Sequence, residues 1–184
     1  MSLLIVGLGI FFAVHLVPFS PALRGSLVSR FSENGYKLAF TAISLAGFVL
    51  IVMGMSRAPF IAIWQPPQEA QHVTRLLVLI GFILLPAAHM KTNIKRFTRH
   101  PMSWGVVFWG IGHLLANGDV ASILLFGSFV LYSLASMVSA NLRGAKKSDV
   151  RYRFSNDLIV IAAGAIAYLL LTWLHGYLFG YALI

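Results

Sequence analysis

The chain has no cysteine, and only five of its 184 residues are acidic. The first absence removes disulfides, thiolate catalysis and cysteine-held iron–sulfur clusters. The second removes most carboxylate chemistry. Glu33, Glu69, Asp119, Asp149 and Asp157 all fall between the apolar runs or at their ends, so no carboxylate pair, nucleophilic triad or buried carboxylate relay assembles. No glycine-rich nucleotide loop is recognisable either. Charge of any sign is scarce: charged side chains are 10% of the sequence, against about 25% in an average soluble domain. That excludes a cytosolic enzyme and a disordered tail.

What is abundant is apolar surface. Hydrophobic residues make up 59% of the chain, with a mean hydropathy of +0.84. Six stretches without Asp, Glu, Lys or Arg are long enough to matter: 1–23, 38–56, 76–90, 100–118, 120–142 and 158–184. Each approaches the ~20 apolar residues needed to cross a hydrocarbon core of about 30 Å. The sequence therefore predicts an all-α polytopic membrane protein in contact with the lipid bilayer. It reads as one domain over 1–184, a six-helix bundle with spans near 3–19, 37–55, 74–89, 101–117, 120–140 and 158–183. The third is the shortest uncharged run and needs Arg75 to snorkel. The start, MSLLIVGLGIFF, lacks a basic leader and a small-residue cleavage site, so the first run is expected to remain as a span.

The basic residues orient these spans. Net charge is +9, which in a soluble domain would point to nucleic acid, but the basic residues lie between the hydrophobic runs, where they meet lipid headgroups, so no nucleic-acid partner is expected. Twelve of the fourteen occupy the first, third and fifth loops, and only Arg57 and Arg75 lie on the other side. This asymmetry predicts those three loops to be cytoplasmic and both termini periplasmic, as for a protein of the bacterial inner membrane. Between the first two spans, Ser20-Pro21 reads as a helix cap followed by proline at the first helical position. The stretch Pro21–Phe31 then reads as a short interfacial helix, with Asn34-Gly35 ending it.

Histidine is the remaining chemical inventory. His15, His89, His113 and His175 lie within or at the ends of apolar runs, where an unpartnered polar group is costly. His72 and His175 read as solvated at the outer interface. In the fourth span, Gly105, Trp109, Gly112 and His113 share a stripe about 100° wide, which would let a planar cofactor such as haem approach the backbone with an imidazole as axial ligand. Phe11 and His15 form a comparable stripe in the first span. Small residues that pack helices and histidines bonded to nearby carbonyls account for the same pattern without a cofactor, and both readings stand at this point. Spans one and four share the spacing Gly-x3-aromatic-x3-His (Gly7, Phe11, His15; Gly105, Trp109, His113), which would suit an inverted repeat. His100, ahead of Pro101 in a basic loop, suits phosphate contact, acid–base chemistry or simple capping.

Several of these residues also carry a resemblance. Arg99-His100-Pro101-Met102, Trp109, His113-Leu114-Leu115-Ala116-Asn117-Gly118-Asp119 and Phe126-Gly127 together resemble the NnrU family of bacterial membrane proteins. So do His15-Leu16-Val17-Pro18 with Arg24 after it, and Ser139-Ala140-Asn141-Leu142-Arg143-Gly144. The resemblance implies a link to denitrification and nitric oxide metabolism, with a nitric oxide or nitrite reductase system as partner. The family is also similar to the plant zeta-carotene isomerase, which holds haem b between two histidines. Carried over by position, the ligands fall on His15 and His113; on the stripes read above, Phe11 and Trp109 would then wall the porphyrin beside Gly105 and Gly112, and Arg24 or Arg99 would pair with a propionate. The isomerase has a cysteine three residues before the second ligand; here that residue is Gly110, so a thiolate ligand is absent. With the midplane near residues 11 and 109, His15 lies about 6 Å toward the cytoplasm and His113 about 6 Å toward the outside. Axial nitrogens across one iron are only about 4 Å apart. A shared iron thus requires a shifted or tilted fourth span, and His15 with His89 is the substitute pair.

Three functions emerge as expectations. The first is a haem b protein ligated by His15 and His113, serving redox, gas-linked or isomerase-like chemistry. The second is a non-haem membrane enzyme using His100, because Arg-His-Pro also looks like an element of integral-membrane methyltransferases. Those enzymes carry further acidic and aromatic residues after the next span, and Asn141-Leu142-Arg143 departs from that pattern. The third is a non-catalytic assembly factor for a respiratory reductase.

Overall fold

A computed structural model describes residues 1–180, so the last residues of the sixth expected span lie outside the described part. The helices in chain order are α1 (Ser2–Leu16), then a 3-10 turn over Val17–Phe19, α2 (Pro21–Ser56), α3 (Ala70–Ala87), α4 (Ile94–Phe97), α5 (Pro101–Ala116), α6 (Val120–Leu142) and α7 (Phe154–Phe179). Five stretches are long and apolar enough to cross a membrane: Ser2–Phe19, Pro21–Ser56, Ala70–Ala87, Val120–Leu142 and Phe154–Phe179. Helix α3 is longer than its uncharged run because the helix begins at Ala70 and carries Arg75 within it. Helix α5, with 16 residues, is the short one and extends only about 24 Å at 1.5 Å per residue. Large apolar side chains point outward on these helices; Leu38 is 73% exposed, Leu131 69% and Ile166 65%. Such surface is stable only against lipid or another apolar partner.

The described residues form two compact units, one built from Met1–Ile63 with Asp119–Ser128, the other from Trp64–Gly118 with the chain from Phe129. Helix α6 contributes its first turns to the former and the rest to the latter.

In the first unit α1 and α2 pack antiparallel along a seam of glycines. Gly7 lies against Ile51, Gly47 against Phe11 and Gly54 against Leu4. A Cβ at Gly7 would stand 2.7 Å from the Ile51 nitrogen, so the backbones are in direct contact. Lipid tails give no hydrophobic reason for helices to associate, and close approach of small residues supplies the packing instead. Helix α2 starts as the sequence predicts: Ser20 Oγ accepts the Leu23 N–H at 3.3 Å and Pro21 comes next. It is broken at Ser32 (φ 64°, ψ 164°), two residues before the expected Asn34-Gly35. The reason lies in the side chains. Ser32 Oγ accepts the Gly35 N–H at 3.2 Å and caps the second segment, while Glu33, in that segment's first turn, accepts from Arg24 at 2.8 Å and Lys37 at 3.3 Å. Arg24 belongs to the first segment, so its ion pair bridges the break.

In the second unit α3 and α5 form the equivalent antiparallel pair. A Cβ on Gly81 would lie 2.8 Å from the Gly105 oxygen, and one on Gly112 would lie 2.9 Å from Val78 Cγ2. Thr74 Oγ1 donates to the Gly112 carbonyl at 2.9 Å, a side-chain bond between helices that holds their register. Helix α7 joins through Gly164, whose Cβ would lie 2.7 Å from the Phe82 oxygen.

Candidate functional site

His15 sits in the last turn of α1. Its Nδ1 lies 2.7 Å from the Phe11 carbonyl oxygen, one helical turn back. The Phe11 ring stacks on the imidazole with centroids 4.0 Å apart and planes at 22°, and Phe40 of α2 approaches to 5.0 Å. Phe11 is placed by Gly47, where an added Cβ would stand 2.9 Å from the Phe11 nitrogen.

His113 repeats this arrangement in the last turn of α5. Its Nδ1 lies 2.8 Å from the Trp109 carbonyl oxygen, and the Trp109 ring is 5.0 Å from the imidazole. Phe129 meets Trp109 edge-on at 5.7 Å. Trp109 is placed by Gly81, whose Cβ would lie 3.3 Å from the Trp109 nitrogen.

The two bonds fix the chemistry of both rings. A carbonyl oxygen only accepts, so Nδ1 carries the proton and the neutral ring has its lone pair on Nε2. Metal-ligating histidines are oriented by this kind of bond to a backbone carbonyl. Two imidazoles are a donor set that fits haem iron, whose axial ligands are commonly histidine nitrogens. The same bonds equally satisfy a histidine in a helix without any metal. Among the described residues, no group of three or more His, Cys, Asp or Glu side chains is arranged to hold a metal ion.

The structure places the remaining candidate residues in other settings. Gly105 and Gly112 face α3, where Gly81, Val78 and Thr74 meet them, so their openness is used by a neighbouring helix. Arg24 is engaged by Glu33 and lies over the Tyr36 ring at 5.5 Å. His89, just past α3, is exposed and lines an open cleft of about 370 Å³ with Met90, Lys91, Asn156 and Ile159. His100 is the N-cap residue of α5, and its Nε2 is 2.9 Å from Asn141 Oδ1, which also accepts from Arg99 Nη1 at 3.1 Å. His15 belongs to the first unit; His89, His100 and His113 belong to the second.

The His-Leu-Leu-Ala-Asn-Gly-Asp block proves to be a structural device around the α5–α6 turn. Asn117 Nδ2 donates to the His113 carbonyl at 2.8 Å and so closes α5. Gly118 is pressed against the Trp64 carbonyl, and its own carbonyl accepts the Trp64 N–H at 3.1 Å. Asp119 Oδ1 then caps α6 through the Ser122 N–H at 3.0 Å. Asp119 also pairs with Ala62 in an antiparallel bridge, beside which the Val120 N–H bonds the Ile61 carbonyl at 2.9 Å.

One polar cluster has no counterpart among the sequence-based expectations. The buried Asp157 carboxylate accepts from Thr92 Oγ1 at 2.6 Å and from Asn93 through its N–H and Nδ2, each at 2.7 Å. Asn93 in turn exchanges two bonds of 3.0 Å with the Tyr152 backbone. The lone acidic residue ahead of an otherwise uncharged run was the available signal. Three donors and the N-terminus of α7 compensate its charge.

A family model described as NnrU protein matches residues 3–183, nearly the whole chain. No curated protein and no solved structure matches it. With membrane-length helices and a family match over that span, the chain belongs to the NnrU protein family.

Proposed function

We propose that this protein is a multi-pass protein of the bacterial inner membrane that holds haem b through His15 and His113, in the service of nitric oxide metabolism. In this reading α5 is the fourth of six spans, flanked by the basic third loop and the Asn117-Gly118 turn, and the positions of the basic residues favour both termini outside. The observation that carries the reading is the shared local frame of the two histidines. In both, Nδ1 is bonded to the carbonyl of an aromatic residue four positions earlier, at 2.7 and 2.8 Å. Haem bound there would supply one-electron redox chemistry, and a diatomic gas would reach the iron by displacing one of the two histidines. The chain's own part is to hold the two rings in one tautomer, wall them with Phe11 and Trp109, and keep water away. Arg24 already serves Glu33 and Arg99 serves Asn141, so a propionate would share either with its present partner.

The test is the absorption spectrum of the detergent-purified chain, oxidised and dithionite-reduced, after expression with ample haem precursor. A Soret band with sharp reduced α and β bands is expected, shifting when nitric oxide is added. His15→Ala and His113→Ala should each abolish the six-coordinate spectrum if both ligate one iron. If only one variant loses it, that residue alone is a ligand. Full haem with unchanged spectra in both variants, or a colourless wild-type protein, would refute the proposal.

A further inference from the structure

We propose that a second site, separate from the two histidine stripes, binds a phosphate group carried either by a phospholipid headgroup or by a free phosphorylated molecule. The site is an open cleft of about 420 Å³ in the second unit, formed by α4, the start of α5 and the chain after α6. Lys95, Arg99, His100, Lys146 and Lys147 line it, with Ser103 from the first turn of α5. No acidic residue lines it. Among the described residues the ion pairs are those of Glu33 with Arg24 and Lys37, so the four Lys and Arg side chains of the cleft are without a carboxylate partner.

Orientation of a membrane protein requires basic residues near the cytoplasmic interface; it does not require them to line one cleft, where they repel one another. Here the backbone gathers them. Helix α6 is followed by Gly144 (φ 83°), with the Ala145 N–H bonded to the Ala140 carbonyl at 3.0 Å and the Gly144 N–H to the Asn141 carbonyl at 2.9 Å. This left-handed helix end turns the chain back. The Ser148 N–H then bonds the Lys95 carbonyl at 3.1 Å, which anchors Lys146 and Lys147 beside α4. On the facing side, Asn141 Oδ1 receives both Arg99 and His100. Its amide oxygen orients both groups and leaves the positive charge of Arg99 intact. Several cations converging without a carboxylate make a site for an anion with several acceptor oxygens, and the arginine fork and lysine ammoniums match phosphate.

The full chain, purified in a neutral detergent, is titrated with dihexanoyl-phosphatidylglycerol, inorganic pyrophosphate and dihexanoyl-phosphatidylcholine, with binding measured by calorimetry. Binding of one or both anions is expected, with phosphatidylcholine much weaker. Lys146→Gln/Lys147→Gln and Arg99→Gln should each weaken it by about tenfold or more, as expected for loss of a charge-assisted contact. Arg57→Gln/Arg75→Gln removes the same charge as the double lysine variant, outside the cleft, and should leave binding unchanged. All of these side chains but Arg75 lie outside the long apolar runs, and thermal melting of each variant checks that folding is retained. Phosphatidylglycerol alone identifies a headgroup site; pyrophosphate alone identifies a site for a free phosphorylated molecule. The proposal is overturned if neither anion binds, if the cleft variants bind like wild type, or if Arg57→Gln/Arg75→Gln loses as much.

Discussion

Gly47→Ala is the sharpest probe of how the first unit positions His15. The added Cβ would stand 2.9 Å from the Phe11 nitrogen and 3.0 Å from its Cα. Both are backbone atoms, so no rotamer change relieves the contact. Ordinary carbon contacts begin near 3.5 Å, and α1 must therefore move away from α2 by about 0.5 Å or more. A gap of that size forfeits about a quarter or more of each dispersion contact along the seam, and overpacking of this kind costs about 1–3 kcal/mol. Replacing glycine within a helix also returns about 1 kcal/mol of propensity. Gly9→Ala, with nothing within 4 Å of its Cβ, receives the same return and no clash. The propensity term cancels in the comparison, leaving a predicted gap of about 1–3 kcal/mol between the two variants. Unfolding in a mixed-detergent titration measures it. If Gly47→Ala proves as stable as Gly9→Ala, the glycine seam is not a tight contact, and the placement of Phe11 and His15 loses its stated cause.

Three other positions give outcomes of the same kind. Gly118→Ala drives a Cβ into the Trp64 carbonyl and should destabilise by about 1–3 kcal/mol, with a change in tryptophan emission that an unaltered α5–α6 turn would not show. At Ser32 (φ 64°, ψ 164°) glycine relieves strain of about 1–3 kcal/mol and loses only a few tenths as a cap, whereas alanine keeps the strain and loses about 1 kcal/mol of capping. Melting temperatures should therefore rank Gly above Ser above Ala, and any other order contradicts the strained-cap account. Asp157→Asn sets an amide donor against Asn93 Nδ2, which cannot turn over without losing its bond to the Tyr152 carbonyl. Trypsin should then cleave the 91–99 segment faster than in wild type, and an equal rate would show that the network does not hold that segment.

Hydropathy made the helices legible because lipid imposes a length and an apolarity that few other environments do. Ser20-Pro21 was legible for a local reason, since a cap and a fixed φ need no tertiary partner. The break in α2 was not. Asn34-Gly35 is the stronger turn signal, yet Gly35 is needed as an N–H donor to Ser32 Oγ, and the ion pair of Arg24 with Glu33 depends on a fold-back that spacing alone does not reveal. In the fourth span the stripe of Gly105, Trp109, Gly112 and His113 was visible, but periodicity does not say what a glycine faces. Gly81 and Thr74 on α3 decide that. Asn141 looked like a departure from a methyltransferase pattern; its role as shared acceptor for Arg99 and His100 depends on a contact 41 residues distant in sequence from His100.

The two histidine helices show why Gly-x3-aromatic-x3-His is a geometric unit. At 100° per residue, the aromatic lies about 40° from the glycine around the helix, and the histidine about 80°. The glycine can therefore press on a neighbouring helix while the histidine lies two turns on, where in α1 it still meets Phe40 of α2. In α1 the seam is with Ile51 and in α5 with Gly81. The aromatic carbonyl between them is in both cases the acceptor for Nδ1. Simple satisfaction of a buried imidazole does not require an aromatic at that position, nor a glycine four residues before it. Because α1 and α5 belong to different units, each with its own partner helix, the shared frame is not imposed by common packing. The shared frame, each imidazole bonded through Nδ1 beside an aromatic ring, is the feature on which the proposed haem ligation rests.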